Sequence, residues 1–469
     1  MDKAQIVLIT LVAYKALLIA IGFWASRRTS DADDFFIGGR GLGPVVAAIS
    51  YSSSASSAWT LLGMSGLAYT IGLSSVWVVA GSLLGMLVAW FWVAPRIMRY
   101  TREHNQITMT DFIAHGSEGG VRRAIVWVSS IIIIFSFTFY VAAQFQGAGN
   151  TFSTTFGLSM AESIVLGATI IMVYTLLGGF WAVSVTDTVQ GGLMAFAAVL
   201  LPIAALVAVG GFSGFWQGLE AVSTPNQMSF TAGNAGLMAL GVILGGISIG
   251  IGTFGQPHLL VRFMALRDER AMRQARIITI FWYLVVFGGM CFLGLVGHIL
   301  HAGIDNSENI FFVLTDSLLP TVIGAVLLAT VLSAIMSTAD SQLLVAASSI
   351  AHDLGLGKRH PEKLLLISRI TIVVLVVLSV LVALYMPEKI FGRVLFAWIA
   401  LGSAFGPVLF MRLGGASLKP AVVLVSIVVG FVLAVVFSEM SGSIHSLVER
   451  GVPFATGLLI LALFGRRKA

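Results

Sequence analysis

Apolar stretches of about 20 residues recur along nearly the whole chain, separated by short polar segments. A bilayer core about 30 Å thick needs a helix of about 20 residues to cross it. The pattern predicts thirteen spans, at 4–26, 43–71, 73–95, 124–150, 160–178, 182–209, 234–256, 274–300, 319–349, 365–386, 389–411, 420–437 and 447–465. The fold class is therefore an all-α membrane protein. The first stretch, Gln5 to Ala25, has no basic leader or small-residue cleavage site and reads as a retained helix.

Two spans carry interruptions. The second holds Ser50-Tyr51-Ser52-Ser53-Ser54-Ala55-Ser56-Ser57-Ala58-Trp59, and the seventh holds the glycine-rich run from Gly245 to Pro257. Gly and Ser lower helix propensity, and Ser competes for its own backbone hydrogen bonds. Irregular backbone at membrane depth is tolerated only where protein or a cavity satisfies it. The breaks lie five spans apart, as in a transporter built of inverted repeats around a midplane site. The same small residues also serve close helix packing. The predicted organisation is one transmembrane domain over 1–469: a first helix and loop (1–42), repeat one (43–209), repeat two (234–411), and two C-terminal helices with a tail (412–469).

Composition and charge sharpen this picture. Hydrophobic residues make up 58% of the chain and charged residues 10%, against about 25% charged in soluble domains. A formal charge of +6 suggests nucleic acid only until the charges are placed. Twenty-two of the 27 basic residues fall in alternate connections or at the C-terminus, among them Arg40, Arg96, Arg102, Arg262, Arg267 and Lys419. The opposite loops, 151–159, 210–233 and 301–318, have none. The positive-inside rule then places the N-terminus outside and the C-terminus in the cytoplasm of a plasma membrane. Membrane lipid, not nucleic acid, is the expected surrounding, and no obligatory protein partner is evident. A single cysteine excludes a disulfide framework. There is no GxxxxGK[ST] phosphate loop, HExxH or GxSxG, so neither an ATP-driven pump nor an enzyme is expected.

The chemistry-bearing residues cluster in Leu332–Ser341. On a helix, Ala334, Ser337, Thr338 and Ser341 line one face, with Asp340 on its flank. Stacked oxygens of this kind suit a hard cation that sheds its water. A charge at that depth costs about 2.5–3.5 kcal/mol on insertion scales, so it is rarely idle. Asp187, in Thr186-Asp187-Thr188-Val189-Gln190, is the second intramembrane carboxylate. It reads either as a partner of Asp340 or as an interfacial cap. If the two face each other they repel, so the pair binds Na⁺ or relays H⁺. Lys15 reads as a snorkelling or edge residue.

Four blocks carry a family resemblance: Asp34-Phe35-Phe36-Ile37-Gly38-Gly39-Arg40-Gly41-Leu42-Gly43-Pro44; Gly178-Gly179-Phe180-Trp181-Ala182-Val183-Ser184 with Thr186 to Gln190; Phe254-Gly255-Gln256-Pro257-His258 with Arg262-Phe263-Met264; and Met336-Ser337-Thr338 leading into Ser341-Gln342-Leu343-Leu344. With these the chain resembles the sodium/solute symporter family, most of all its bacterial sodium/proline branch. The resemblance implies an inverted-repeat, five-plus-five helix bundle with broken helices two and seven. It implies a sodium site from the carbonyls of Ser53, Ser56 and Ala334 and the hydroxyls of Ser337 and Thr338. A second cation site is implied at Asp187, Ser337, Asp340 and Ser341. The substrate positions are Ala55, Ser57, Trp59, Gly63, Tyr140, Gln144, Ile249 and Thr253. Of these, Ala55 replaces the branch's usual Asp, Ile249 and Thr253 replace aromatic residues, and Gln144 adds an amide.

Loss of two aromatics implies a larger pocket with fewer apolar walls. No Arg or Lys falls in the predicted core of spans two, four or seven. The expected activity is Na⁺-driven import of a small organic solute, proline or a similar amino acid, with Na⁺ as the coupling ion. A sodium- or proton-coupled monocarboxylate symporter and a transporter-like membrane sensor are the alternatives. The expected partner is a small zwitterionic or monocarboxylate solute.

Overall fold

The computed structural model describes residues 3–26, 37–176, 179–355, 363–386, 388–439 and 445–466. Asp34, Phe35, Phe36 and Gly178, named above, lie outside them. The described residues are helical almost throughout. Their only ladder pairings are two isolated bridges, Leu42 with Leu266 and Leu418 with Arg466.

Among the described residues, eleven helical stretches are long and apolar enough to cross a membrane. One of them, Pro44–Glu103, is 60 residues long and takes in the expected spans 43–71 and 73–95. Gly72 divides it with φ 67° and ψ −140°, a conformation open to glycine. The expected fifth span appears as Met160–Thr175, 16 residues long, begun by a Ser159/Glu162 capping box.

The helices that frame the centre are α1 (Lys3–Ser26), α2 (Pro44–Ala58), α3 (Met109–Ala114), α4 (Gly119–Phe156), α5 (Phe180–Ala208), α6 (Pro257–Ala265), α7 (Glu269–Leu300), α8 (Thr321–Ser348) and α9 (Ile390–Leu413). Burial sorts inner helices from outer ones. The most apolar window of Thr321–Asp353 is 78% buried and that of α9 83%, against 22% for α1 and 28% for Pro420–Ser438. The outer helices expose Leu8, Val12, Phe23, Val432 and Leu463, as lipid-facing surfaces do. Helix α8 packs on α1, α2, α4 and α5, so its hydroxyl-bearing face looks into the bundle.

Besides the one that holds α6, three connections expected to be loops contain short helices. Gly211–Val222 buries Phe215 and Leu219, Ile310–Leu318 is mostly buried, and α3 lies between 96 and 123. Their apolar residues are too few to span a bilayer but enough to dock on the bundle. Several residues read as topological charges also hold backbone carbonyls. Arg40 donates to the Gln106 and Thr101 carbonyls at 2.8 and 3.2 Å, and Arg412 to those of His115 and Ile113 at 2.6 and 3.1 Å. A guanidinium suits such ends because it presents several donors at once.

Glu308 caps α9 from another connection. Its carboxylate accepts the Ile390 and Phe391 N–H groups at 3.1 and 3.0 Å, satisfying donors the helix start leaves free. Burial pushes this carboxyl above the usual range, although the two N–H groups oppose the shift.

Candidate functional site

Both predicted breaks are present. In α2 the serines stay helical to Ser56; Ser57 leaves helical geometry (φ 19°, ψ −166°), and a widened π turn over Trp59–Met64 follows. The first break therefore falls at the end of the serine run. In the second, a 3₁₀ segment over Ser248–Gly255 gives way to extended Gln256 before α6 starts at Pro257. Glycine is required there by contact. A Cβ on Gly252 would stand 1.8 Å from Trp398 Cδ1, and one on Gly255 2.0 Å from the Leu401 carbonyl oxygen.

The broken helix and the hydroxyl stripe meet. Ser337 Oγ lies 3.3 Å from the Ser53 carbonyl and 3.2 Å from the Ala334 carbonyl. Thr338 Oγ1 donates to the Ser54 carbonyl at 2.9 Å. All five residues are buried. A serine or threonine hydroxyl can rotate its proton aside and present a lone pair, and oxygens at these separations are close enough to share one small ion. Ser56 departs from the expectation. Its carbonyl accepts the Trp59 N–H, and its hydroxyl is buried without a partner. The carbonyl that meets α8 beside that of Ser53 belongs to Ser54.

Next to this group stands a cation the sequence reading placed in a loop. Arg262 is 1% exposed, and every residue of α6 is buried. One guanidinium nitrogen lies 2.9 Å from Asp187 Oδ2, 2.9 Å from Ser54 Oγ and 2.7 Å from Ser341 Oγ. Nε donates to Ser50 Oγ at 2.9 Å, and the other terminal nitrogen bonds the His258 carbonyl. Asp187 Oδ2 also accepts the Ser50 hydroxyl at 2.7 Å. Asp187 is thus no interfacial cap; it is fully buried and ion-paired.

Asp340 is equally buried. Its Oδ1 accepts the Ser341 N–H at 2.6 Å, and its Oδ2 has no partner. A guanidinium therefore stands at this position, bound by Asp187 and Ser341, two of the four residues expected to bind a second metal ion. Lys15 is also no edge residue: its amine contacts the Met336 sulfur on α8, beside the 2.5 Å bond between Tyr14 and Ser333.

The predicted substrate positions gather one turn further on. Gln144 accepts the Ala58 N–H at 3.1 Å and reaches Ser57 Oγ at 3.3 Å. The Trp59 indole donates to the Ala55 carbonyl at 2.9 Å. The Tyr140 hydroxyl is buried without a partner. Gly63 lies against Phe391, which with Phe287 flanks Trp59 at 5.9 and 5.3 Å between ring centres.

Trp398 links the two sides. Its ring is 6.3 Å from Tyr140, and its indole donates to the Ile249 carbonyl at 3.1 Å. Thr253 sits in the same 3₁₀ segment as Ile249. Trp398, Phe287 and Phe391 bring three aromatic rings against the predicted substrate positions, from helices the sequence did not assign to them. Arg262 had a signal: it is flanked by Leu259-Leu260-Val261 and Phe263-Met264-Ala265, unlike Arg267, Arg270 and Arg273 in their charged surroundings.

Comparison with known proteins agrees with this architecture. The profile of the sodium:solute symporter family matches residues 35–414. The osmoregulated proline transporter OpuE of Bacillus subtilis is 34% identical, over 87% of this chain and 83% of that protein. The sodium/proline symporter of Salmonella typhimurium is 32% identical, over 98% of this chain and 93% of its own. Among solved structures, a Na⁺-coupled sialic acid symporter in a substrate-bound outward-open state superposes with a TM-score of 0.80 over 100% of both chains at 18% identity. MhsT in complex with L-phenylalanine gives 0.59 over 89% of this chain and 98% of that one, at 15% identity. At such identities the two structures bear on the fold alone.

Proposed function

The chain belongs to the sodium:solute symporter family, and from that premise we propose that it imports proline or a closely similar small amino acid with Na⁺. One observation carries the ion half of the reading. The Ser337 and Thr338 hydroxyls of α8 interlock with the Ser53 and Ser54 carbonyls just before the break in α2. A Na⁺ ion there ties α2 to α8, holds the break in shape and favours the outward-open form. Substrate binding beside Trp59, Tyr140 and Gln144 then allows closure, and loss of Na⁺ to the cytoplasm loosens the tie. The relatives that transport proline support the solute half. The charge pattern supports a plasma-membrane protein with its N-terminus outside. The five-plus-five repeat over 43–209 and 234–411 is supported by the matching positions of the two breaks.

The proposed second cation site remains Asp187, Ser337, Asp340 and Ser341; in this conformation Arg262 bonds two of its members, Asp187 and Ser341. A metal ion binds there only after the guanidinium withdraws.

The test is thermal stabilisation of the purified protein by a panel of amino acids and monocarboxylates, each with Na⁺ and with K⁺ at matched ionic strength. Ligands that bind the native state alone raise its apparent stability. Proline should stabilise with Na⁺ and not with K⁺. Stabilisation by a monocarboxylate alone would replace the solute, and stabilisation indifferent to Na⁺ would remove the coupling.

A further inference from the structure

Away from the centre, at the end of the bundle where the basic residues cluster, three side chains of two elements converge. Asp111 lies on α3. His352 and Asp353 lie on the Ser349–Asp353 turn that continues α8. His352 Nδ1 is 3.3 Å from Asp353 Oδ1 and 4.0 Å from Asp111 Oδ2, and the candidate ligand atoms of all three lie within 4.8 Å of one another.

Bonds of 2.0–2.2 Å in tetrahedral geometry place neighbouring ligand atoms about 3.3–3.6 Å apart. One separation already matches, and none exceeds that range by more than about 1.5 Å, a gap that side-chain rotation closes. A second observation points to a ligand. The Asp353 side chain is 1% exposed, and its Oδ2 accepts no hydrogen bond, although the Thr110 and Ser349 hydroxyls stand beside the carboxylate. Thr108 holds Oδ1 at 2.8 Å and so fixes the carboxylate's direction. A buried carboxylate oxygen left unpaired is costly unless a cation or a donor meets it.

Access is open. A cavity of about 360 Å³ reaches Asp111 and His352 past Gln106 and Arg122. The opposing charge, Arg122, is 3.9 Å from Asp111 Oδ1 and 45% exposed, so it can turn into solvent. On its inner side Asp353 lines a narrow cavity that also touches Arg262 and Ser341.

We propose that Asp111, His352 and Asp353 form a binding site for a divalent transition-metal ion of the zinc class, which ties α3 to the end of α8 and slows transport. One imidazole and two carboxylates suit Zn²⁺ or Co²⁺ better than Na⁺ or Mg²⁺. The bridge lies between the narrow cavity at Arg262 and Ser341 and the open cavity at Asp111 and His352. Metal binding here is separate from the symport reading and is tested without transport.

The experiment titrates Zn²⁺, and Co²⁺ for its visible bands, into the chelator-stripped full-length protein in detergent. One saturable equivalent is expected. His352→Ala and Asp353→Asn should each weaken binding by more than about 10-fold, since even loss of a group supporting a ligand costs 10–100-fold. His104→Ala should leave it unchanged. A cooperative thermal unfolding transition at the wild-type midpoint reports that the bundle of each variant is folded. No saturable binding by the wild type, or wild-type binding by folded His352→Ala, would overturn the site. Loss of binding in His104→Ala would also overturn it, by moving the metal to the imidazoles of His104 and His115, whose ring centres are 4.3 Å apart. In vesicles, Zn²⁺ should slow uptake by the wild type and not by His352→Ala; equal inhibition of both would overturn the bridge.

Discussion

Arg262→Gln tests the central arrangement most directly. Arg262 and Asp187 are 1% and 0% exposed and 2.9 Å apart. Removing one partner of a buried pair costs about 3–5 kcal/mol, because the other charge is left without compensation. In an Asp187→Asn background the same substitution strands no charge on Asp187, so it should cost at least about 2 kcal/mol less, the kind of coupling seen between residues in contact. Sodium supplies the second readout. With the guanidinium gone, Asp187, Asp340 and Ser341 are free to take Na⁺, and a ligand at 100 times its Kd adds about 2.7 kcal/mol. The assay is unfolding of the four proteins of the cycle in detergent, across a Na⁺ series balanced with K⁺. Arg262→Gln should be the least stable without Na⁺ and gain most from it. Equal losses in both backgrounds, together with a Na⁺ response no larger than the wild type's, would refute the idea that Arg262 occupies a cation position.

Ser337→Ala and Thr338→Ala each remove a hydroxyl from the group that meets the Ser53 and Ser54 carbonyls. At about 1.5–3 kcal/mol for an interaction with a charged group, half-maximal uptake should need about 10- to 100-fold more Na⁺; an unchanged Na⁺ dependence in both would remove the site. Gly252→Ala places a Cβ 1.8 Å from Trp398 Cδ1 and should cost about 1–3 kcal/mol of stability, with weaker proline binding, both read from thermal unfolding. Glu308→Gln tests the α9 cap through pH. Burial raises this carboxyl in the folded state, so ionisation destabilises, and wild-type stability should fall as pH rises from the ordinary glutamate value through the raised one. The variant should lack that fall; a fall of equal size in it would assign the pH response elsewhere.

What the sequence disclosed follows from the range of its signals. The α8 stripe was legible because Ala334, Ser337, Thr338 and Ser341 obey helical spacing within one element. The breaks were legible because glycine and serine runs act on the backbone where they stand. The end of the first break at Ser57, and the Ser54 carbonyl in place of that of Ser56, depend on how α2 meets α8. Arg262 was misplaced because residue type alone argues for a loop. Its burial is set by Asp187, 75 residues away in sequence, and by Ser54, 208 away. Trp398 escaped for the same reason, since its contact with Ile249 spans 149 residues.

Arg262 also bears on how membrane voltage drives the cycle. Around the centre, two carboxylates, Asp187 and Asp340, share the interior with two cationic side chains, Arg262 and Lys15. With all four ionised, their formal charges cancel. We expect the substrate-free protein to reorient without moving net charge. The potential, about 2.3 kcal/mol per elementary charge per 100 mV, would then act only on the Na⁺-loaded step. Voltage jumps on protein-containing membranes in Na⁺-free solution should give no transient current, and a transient of one charge per molecule would contradict this balance.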